Sequence, residues 1–468
     1  MGDGLQFLLY LALIGGLVGL SEALHQKGIL TQEANRKLVH VGVGLFVSLA
    51  LFTLHHGWVL AALAGLFVVV NAVGLVSGAL RGMHTVDRET WGTVLYPLAV
   101  VINTLLLFDH SRTLLLATLA PMFFGDALAS LVGRRWPLRR FASLRKSLAG
   151  ALVMYLVSIV FFWALTPAGP VAALLLALIP TLLELSFTGG LDNLAVPLGN
   201  LVFLSLVPAK VPLTSFAIAL LVAGVVAYLA LRARALTPDG ALVTLVLGTL
   251  ILAAGGVQWL VPILVFFITS SALTKIFRAK ATVKPGESRD GFQVLANGGL
   301  AALFVTLQAF GVGGIDWFVP YLAALAVVNS DTWSTEIGST SRSDPRSILF
   351  FKKVPKGSSG AVSWIGSLGG VLGSLAVALT ALFFGYAWNT VLLAWGAGMI
   401  GNLVDSLLGA TVEVRYRCET CGGVFDVKIH CNRPTLYVGG LRWFGNNWVN
   451  FVASSVGALG VALWLAFR

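Results

Sequence analysis

Two stretches of this 468-residue chain carry the same ordered set of residues. The first runs Gly125-Asp126-Ala127-Leu128-Ala129-Ser130-Leu131-Val132-Gly133 and, after an arginine-rich loop, Lys146-Ser147-Leu148-Ala149-Gly150. The second runs Ser330-Asp331-Thr332-Trp333-Ser334-Thr335-Glu336-Ile337-Gly338 and, after another basic loop, Lys356-Gly357-Ser358-Ser359-Gly360. In each, an Asp precedes a Gly by seven positions and a Lys precedes another Gly by four. A carboxylate can hold a divalent cation, a Lys can neutralise phosphate charge, and Gly/Ser turns let an anion approach backbone N–H groups. That is the inventory of a site handling a nucleoside triphosphate, and it occurs twice.

Each half adds a further acid after the chain has crossed out and returned: Glu184, with Asp192 and Asn193 beyond it, and Asp405. The expected catalytic sets are therefore Asp126, Lys146 and Glu184 in one half and Asp331, Lys356 and Asp405 in the other. Asp126, Glu184 and Asp192, and separately Asp331, Glu336 and Asp405, are candidate Mg²⁺ ligands. Ser147, Gly150, Gly357, Ser358, Ser359 and Gly360 are the small residues that could receive phosphate. A single Asp and Lys at helix ends is ordinarily an interfacial ion pair. Recurrence of the ordered set is what favours a site.

The elements that must position these residues are transmembrane helices. Hydrophobic residues make up 57% of the chain and charged residues 11%, and the mean hydropathy is +0.89, which excludes a water-soluble globule. The expected fold is an all-α polytopic helical bundle of roughly 14–16 spans, about eight per half, since apolar segments able to cross ~30 Å of hydrocarbon recur throughout. A net charge of +11 does not imply a nucleic-acid partner here. Lys27, Arg36 and Lys37; Arg81 and Arg88; Arg134 to Lys146; Arg232 and Arg234; Arg278 to Arg289; Arg342 to Lys356; and Arg415 to Arg442 occupy alternate loops. The intervening loops are short and almost free of Lys and Arg. This is the positive-inside pattern, which puts both repeated phrases at the cytoplasmic face of a cell membrane, the expected setting being a bacterial inner membrane. Residues 1–20 read as the first span, without a cleavable signal.

A polar turn, Arg232 to Gly240, separates two distantly similar halves, 1–233 and 234–468. All three Cys lie in one loop on the basic side, which argues against structural disulfides. Cys418-x-x-Cys421 with His430 and Cys431 offers four ligands for a structural zinc, although the adjacent His430 and Cys431 are awkward partners; reduced free thiols are the alternative. His40, at a helix entrance after Arg36 and Lys37, suits either a general base or a packing and capping role.

The first half resembles the CTP-dependent polyprenol kinases, the phytol and dolichol kinase family. The matching strings are Arg36-Lys37-Leu38-Val39-His40, the Asp126 phrase, Arg145 to Gly150, and Glu184 with Asp192 to Pro197. The second half resembles the membrane family that includes phytyl-phosphate kinase, through Ala235-Leu236-Thr237, Asp290 to Gly299, the Asp331 phrase, Val354 to Gly360, Asp405 to Ala410 and Asn446 to Asn450. The resemblance implies two fused kinases. An isoprenoid alcohol would become its monophosphate and then its diphosphate, with CTP as donor and Mg²⁺ as cofactor. It also implies nucleotide or phosphate contacts for Arg36, His40, Arg145 and Asn297. A dianionic acceptor needs extra cations, which Lys352, Lys353, Lys356, Arg342 and Arg346 could supply. The expected partners are the bilayer, an isoprenoid alcohol and its monophosphate, and a nucleoside triphosphate; a homo-oligomer is compatible with the sequence. A CTP-dependent phospholipid cytidylyltransferase is the alternative enzyme. A repeat-built transporter is the alternative outside enzymes, but its acids would sit mid-span.

Overall fold

The structure is a computed structural model that describes residues 2–77, 91–141, 144, 146–207, 209–278 and 288–468. Arg81, Arg88 and Arg145 lie outside the described residues. The chain forms two compact units, Met1–Ala217 and Ile218–Arg468.

The first unit contains α1 (Asp3–Gln26), α2 (Gln32–Thr53), α3 (Gly57–Ser77), α4 (Gly92–Leu107), α5 (Arg112–Ala120), α6 (Asp126–Arg135), α7 (Leu148–Leu165), α8 (Gly169–Leu176), α9 (Leu178–Ser186) and α10 (Asp192–Leu206). α5 and α6 form one apolar pass, joined by a π-helical turn at Pro121–Gly125. α8 and α9 form another. Serine and threonine hydroxyls start several of these helices: Thr31 accepts from Ala34 N, Ser111 from Leu114 N and Ser147 from Gly150 N. Each such cap contributes about 1 kcal/mol. The core is apolar, built around the fully buried Leu51, Leu115, Leu119 and Phe123.

The second unit takes up α11 (Leu213–Arg232), which begins before it, and continues with α12 (Pro238–Arg278), α13 (Gly291–Phe310), α14 (Phe318–Gly338), α15 (Trp364–Ala378), α16 (Trp388–Thr411) and α17 (Asn446–Ala466). As one straight rod, α12 would run ~60 Å, twice the hydrocarbon thickness. It is broken at Gly256, whose φ of 71° is open to glycine and strained for other residues. Ala241 and Phe267 belong to one packed cluster, so the two limbs fold back as a helical hairpin. α14 is the central helix; every residue from Phe318 to Ser330 is buried.

Among the described residues, 12 helices are long and apolar enough to cross a membrane, and Gly92–Leu107 and Asp192–Leu206 are shorter apolar helices. With α12 counted as two limbs and α14 included, the multi-pass helical bundle agrees with the expected 14–16 spans. Large apolar side chains such as Leu221, Val225, Ile268 and Leu392 stand exposed along these helices, as a hydrocarbon solvent requires.

Candidate acid and lysine sites

In the first unit, Asp126 opens α6 directly after the π turn. Lys37 of α2 donates to Asp126 Oδ2 at 2.8 Å, and His40 Nε2 lies 3.7 Å from the same oxygen. His40 Nε2 is also 2.8 Å from the Met122 carbonyl, which can only accept, so that nitrogen carries the proton. Tyr96 packs edge-on against the imidazole at 4.5 Å and donates to the His40 carbonyl. Lys146 reaches the remaining acids, with Nζ 2.5 Å from Glu184 Oε1 and 3.3 Å from Asp192 Oδ2. Burial would lower the Lys146 pKa, but Glu184 and Asp192 outweigh it and hold the ammonium well above the usual lysine range. Asp126, Glu184 and Asp192 each bring a carboxylate oxygen within 4.8 Å of the others. Asp192 is set in place by the turn before α10. There Gly190 has a φ of 92°, and a Cβ on it would fall 2.3 Å from Gly92 Cα.

In the second unit, Asp331 of α14 and Asp405 of α16 belong to facing surfaces. Ser334 and Asn402, each three residues away from one of these acids, are joined by a 2.8 Å hydrogen bond. Asp405 Oδ2 is buried without a hydrogen-bond partner, and it feels the negative charges of Asp331 and Glu413. Glu413, 4% exposed, lies just beyond α16 and accepts a hydrogen bond from Ser359. Burial is the chief cause lifting its carboxyl to about 7, and Asp426 and Asp331 add to it. Gly360 packs directly on α16: its φ is 70°, and a Cβ there would sit 2.5 Å from Ala410 Cβ. The Gly357–Gly360 turn is thereby seated beside the acids. No ion pair forms in this unit among the described residues; all those present belong to the first unit.

Two expectations need correction. Glu336 does not join Asp331 and Asp405: five residues along a helix is a rotation of about 140°, and Glu336 instead accepts from Thr274 of α12 at 2.6 Å. The second correction concerns the lysines. Gly150 abuts Ala129 O and Ser147 Oγ, with Gly133 against Ser147 and Gly150; Gly366 likewise abuts Ser334 O and Ser363 Oγ, with Gly338 against Gly366 and Ser363. Ser147 and Ser363 are the respective helix caps. The local counterpart of Gly150 is thus Gly366 and not Gly360. Lys146 immediately precedes its cap, whereas Lys356 lies seven residues before its own. Lys356 donates to the Ser341 carbonyl at 2.5 Å and meets no carboxylate among the described residues.

Of the other candidates, Arg36 is exposed on α2, and Lys353 is exposed in a bridge with Arg346. Asn297 accepts from Asn450 at 3.3 Å on the α13–α17 side of its unit. Lys37 is the residue that the spacing argument missed. As part of a basic loop it looks like a topology determinant, yet Lys37 and His40 are three apart and share a helix face.

Asn297 also lines a partly open apolar cleft in the second unit, with Val222, Leu247, Leu264, Phe267 and Val294. Arg289 stands at its wall. The backbone of Arg289 is clamped to Ala235 and Thr237 at 3.0 Å each. Its guanidinium lies 5.4 Å from the Phe266 ring and 5.8 Å from Phe267, with Nη1 buried and unpartnered. Burial draws this side chain down to about 10, although the Glu336 charge acts to raise it.

A multi-pass helical bundle with acids and lysines gathered on its helices and connecting loops defines the class: an integral membrane protein with clustered polar residues among its apolar helices. Residues 221–458 match the integral membrane protein family DUF92, and the chain belongs to that family. It is similar to the uncharacterized membrane protein MJ0933 of Methanocaldococcus jannaschii, 33% identical over 230 residues, covering 46% of this chain and 94% of the relative. Protein PGR of Arabidopsis thaliana is 30% identical over 266 residues, covering 50% of this chain and 91% of the relative. A phytol kinase of Synechocystis sp. is 33% identical over 198 residues, covering 40% of this chain and 84% of the relative. No solved structure matches.

Proposed function

We propose that this protein is a membrane kinase that phosphorylates an isoprenoid alcohol twice, with CTP as donor. The cluster of Lys37, Asp126, Lys146, Glu184 and Asp192, in a chain similar to a phytol kinase, carries this reading. In the first unit the alcohol oxygen attacks the γ-phosphorus, the bond to the β-phosphate oxygen breaks and CDP leaves. The alcohol proton passes to Asp126, whose Oδ2 is oriented by Lys37 and whose neighbour His40 already donates its Nε2 proton to Met122. Such a base contributes roughly 10²–10⁴ in rate. Lys146 sits where it can exchange a carboxylate for a phosphate oxygen and offset the charge that develops in transfer.

In the second unit the acceptor is a monophosphate, already a nucleophile, so no base is needed. Charge must be neutralised instead, and Lys356, Lys352, Lys353 and the Gly357–Gly360 turn supply cations and N–H donors. The two units differ in their fit to Mg²⁺. In the first, Lys37 and Lys146 offset two of the three clustered acids, Asp126, Glu184 and Asp192. In the second, the unpartnered Asp405 Oδ2 beside Asp331 is a donor set that calls for a cation. When bound, Mg²⁺ would neutralise charge on the triphosphate. The cavity beside Arg289 suits the apolar tail of the prenyl phosphate, with the buried Nη1 available to its head group. The positive-inside pattern supports cytoplasmic access for CTP.

The test is product analysis with protein purified in detergent and CTP labelled at the γ-phosphate, given phytol or geranylgeraniol. Label in prenyl monophosphate and then diphosphate, with CDP released, is expected. Pyrophosphate release with cytidylate retained on the lipid would establish the cytidylyltransferase instead.

A further inference from the structure

The loop between α16 and α17 folds into short paired strands, Arg415–Arg417 with Val424–Phe425 and Leu436–Gly439, and Ile429–His430 with Arg433–Pro434. Two tight turns bring four soft ligands together. In the first, Gly422 N donates to Cys418 O at 2.8 Å and Cys418 N to Gly423 O at 2.9 Å, while the Cys421 and Thr420 N–H groups face the Cys418 sulfur. In the second, Cys431 and Asn432 both take left-handed conformations, φ 51° and 57°. That backbone is unfavourable for cysteine, but it turns Cys431 back beside the residue it follows, which removes the difficulty of adjacent ligands. His430 Nδ1 lies 3.5 Å from Cys421 Sγ and 3.3 Å from Cys431 Sγ, and all four ligand atoms lie within 4.8 Å of one another. A tetrahedral zinc with Zn–S of ~2.3 Å and Zn–N of ~2.0 Å sets sulfur and nitrogen about 3.5 Å apart.

We infer that Cys418, Cys421, His430 and Cys431 bind one structural zinc ion, and that this centre clasps the Gly357–Gly360 turn in place. The His430 ring stacks on Phe425 at 4.0 Å with an interplanar angle of 18°, and a Cβ added at Gly357 would lie 3.8 Å from Phe425 Cε1. The ribbon is fastened to the end of α16 by Val414 N to Phe444 O and Leu441 N to Val412 O, both 2.9 Å. Glu413, held between these bonds, meets Ser359 of the same turn. With three protein thiolates and a histidine, all four positions are filled by the protein, the arrangement of a structural centre and not of a hydrolytic one.

The test uses the full chain, expressed with zinc and purified without chelator. Elemental analysis should give one zinc per chain, and Co²⁺ exchanged into the protein should show thiolate charge-transfer and tetrahedral d–d absorption. Cys421→Ser should lower zinc at least tenfold and expose Lys428 of the ribbon and Lys356 of the clasped turn to trypsin. Cys421→His, which replaces one ligand with another, should retain both the metal and the protection, including in a case where the serine variant accumulates poorly. A wild-type protein that holds no zinc and takes up no Co²⁺, its cysteines freely alkylated or joined in a disulfide, overturns the inference. So does unchanged proteolysis in a zinc-free Cys421→Ser protein, which would remove the clasp.

Discussion

Lys37 and Asp126, 89 residues apart in the chain, meet as a buried ion pair in which Nζ donates to Oδ2 at 2.8 Å, with side-chain exposures of 8% and 18%. The pair joins α2 to the start of α6. It leaves Lys146 free to serve the other two acids, Glu184 and Asp192. Asp331, which opens the corresponding phrase of the second unit, has no cationic partner among the described residues.

Lys37→Met should therefore leave Asp126 uncompensated. Breaking one side of a buried pair costs about 3–5 kcal/mol, so the apparent unfolding temperature in detergent should drop and alcohol phosphorylation should fall at least a hundredfold. The double variant Lys37→Met/Asp126→Asn should recover the unfolding temperature but not the activity. Recovery of both would make the pair purely structural.

Lys356 anchors its loop through the Ser341 carbonyl and keeps donor capacity for a phosphate. We expect Lys356→Ala to slow conversion of monophosphate to diphosphate by about a hundredfold, equivalent to ~2.7 kcal/mol of transition-state stabilisation. Lys356→Arg should also be slow, because a planar guanidinium replaces a compact ammonium in a tight turn. Near-normal second-step kinetics in Lys356→Ala, at normal membrane levels, would assign the residue to loop anchoring alone.

Glu413 has a carboxyl raised to about 7. The folded state holds this proton more tightly than the unfolded chain, so the associated stability is complete below the ordinary glutamate range and is lost as pH rises through about 7. The full loss is of the order of 3 kcal/mol. Unfolding temperatures of wild type and Glu413→Gln, compared at about pH 5.5 and about pH 8.5, should show the glutamine variant gaining relative stability at the higher pH. A constant difference would mean that Glu413 is not buried as described.

Arg289→Leu should raise the KM for prenyl monophosphate about tenfold or more, while the KM for CTP stays nearly constant, because a charge-assisted hydrogen bond contributes about 1.5–3 kcal/mol. Leu264→Trp, which fills the same cavity, should impair long-chain acceptors more than short ones. Equal effects on acceptor and CTP would place the acceptor tail elsewhere.

The helical architecture was legible because hydrocarbon imposes a single rule, apolar runs of sufficient length, and 12 helices among the described residues obey it. The Asp126 and Asp331 phrases were legible because Gly133 and Gly338 each allow the next helix to approach closely. The lysine spacing misled: the second unit inserts a longer loop before Ser363, so matching Lys to Gly by count pairs Gly150 with a residue of a different turn. Glu413 carried no local signal. Only the folding of the Cys-rich ribbon back onto α16 brings it to Ser359. The role of Lys37 emerges only when α2 packs beside the π turn, since its charge in sequence is one of many that mark the basic side.

Division of two ordered transfers between the two units is tested by separate kinetics of alcohol and monophosphate phosphorylation in Asp126→Asn and Asp331→Asn proteins of normal abundance and unfolding temperature. Asp126→Asn is expected to abolish conversion of alcohol to monophosphate and spare conversion of monophosphate to diphosphate, with Asp331→Asn doing the reverse. Loss of both activities in either variant would mean that the two transfers share one site.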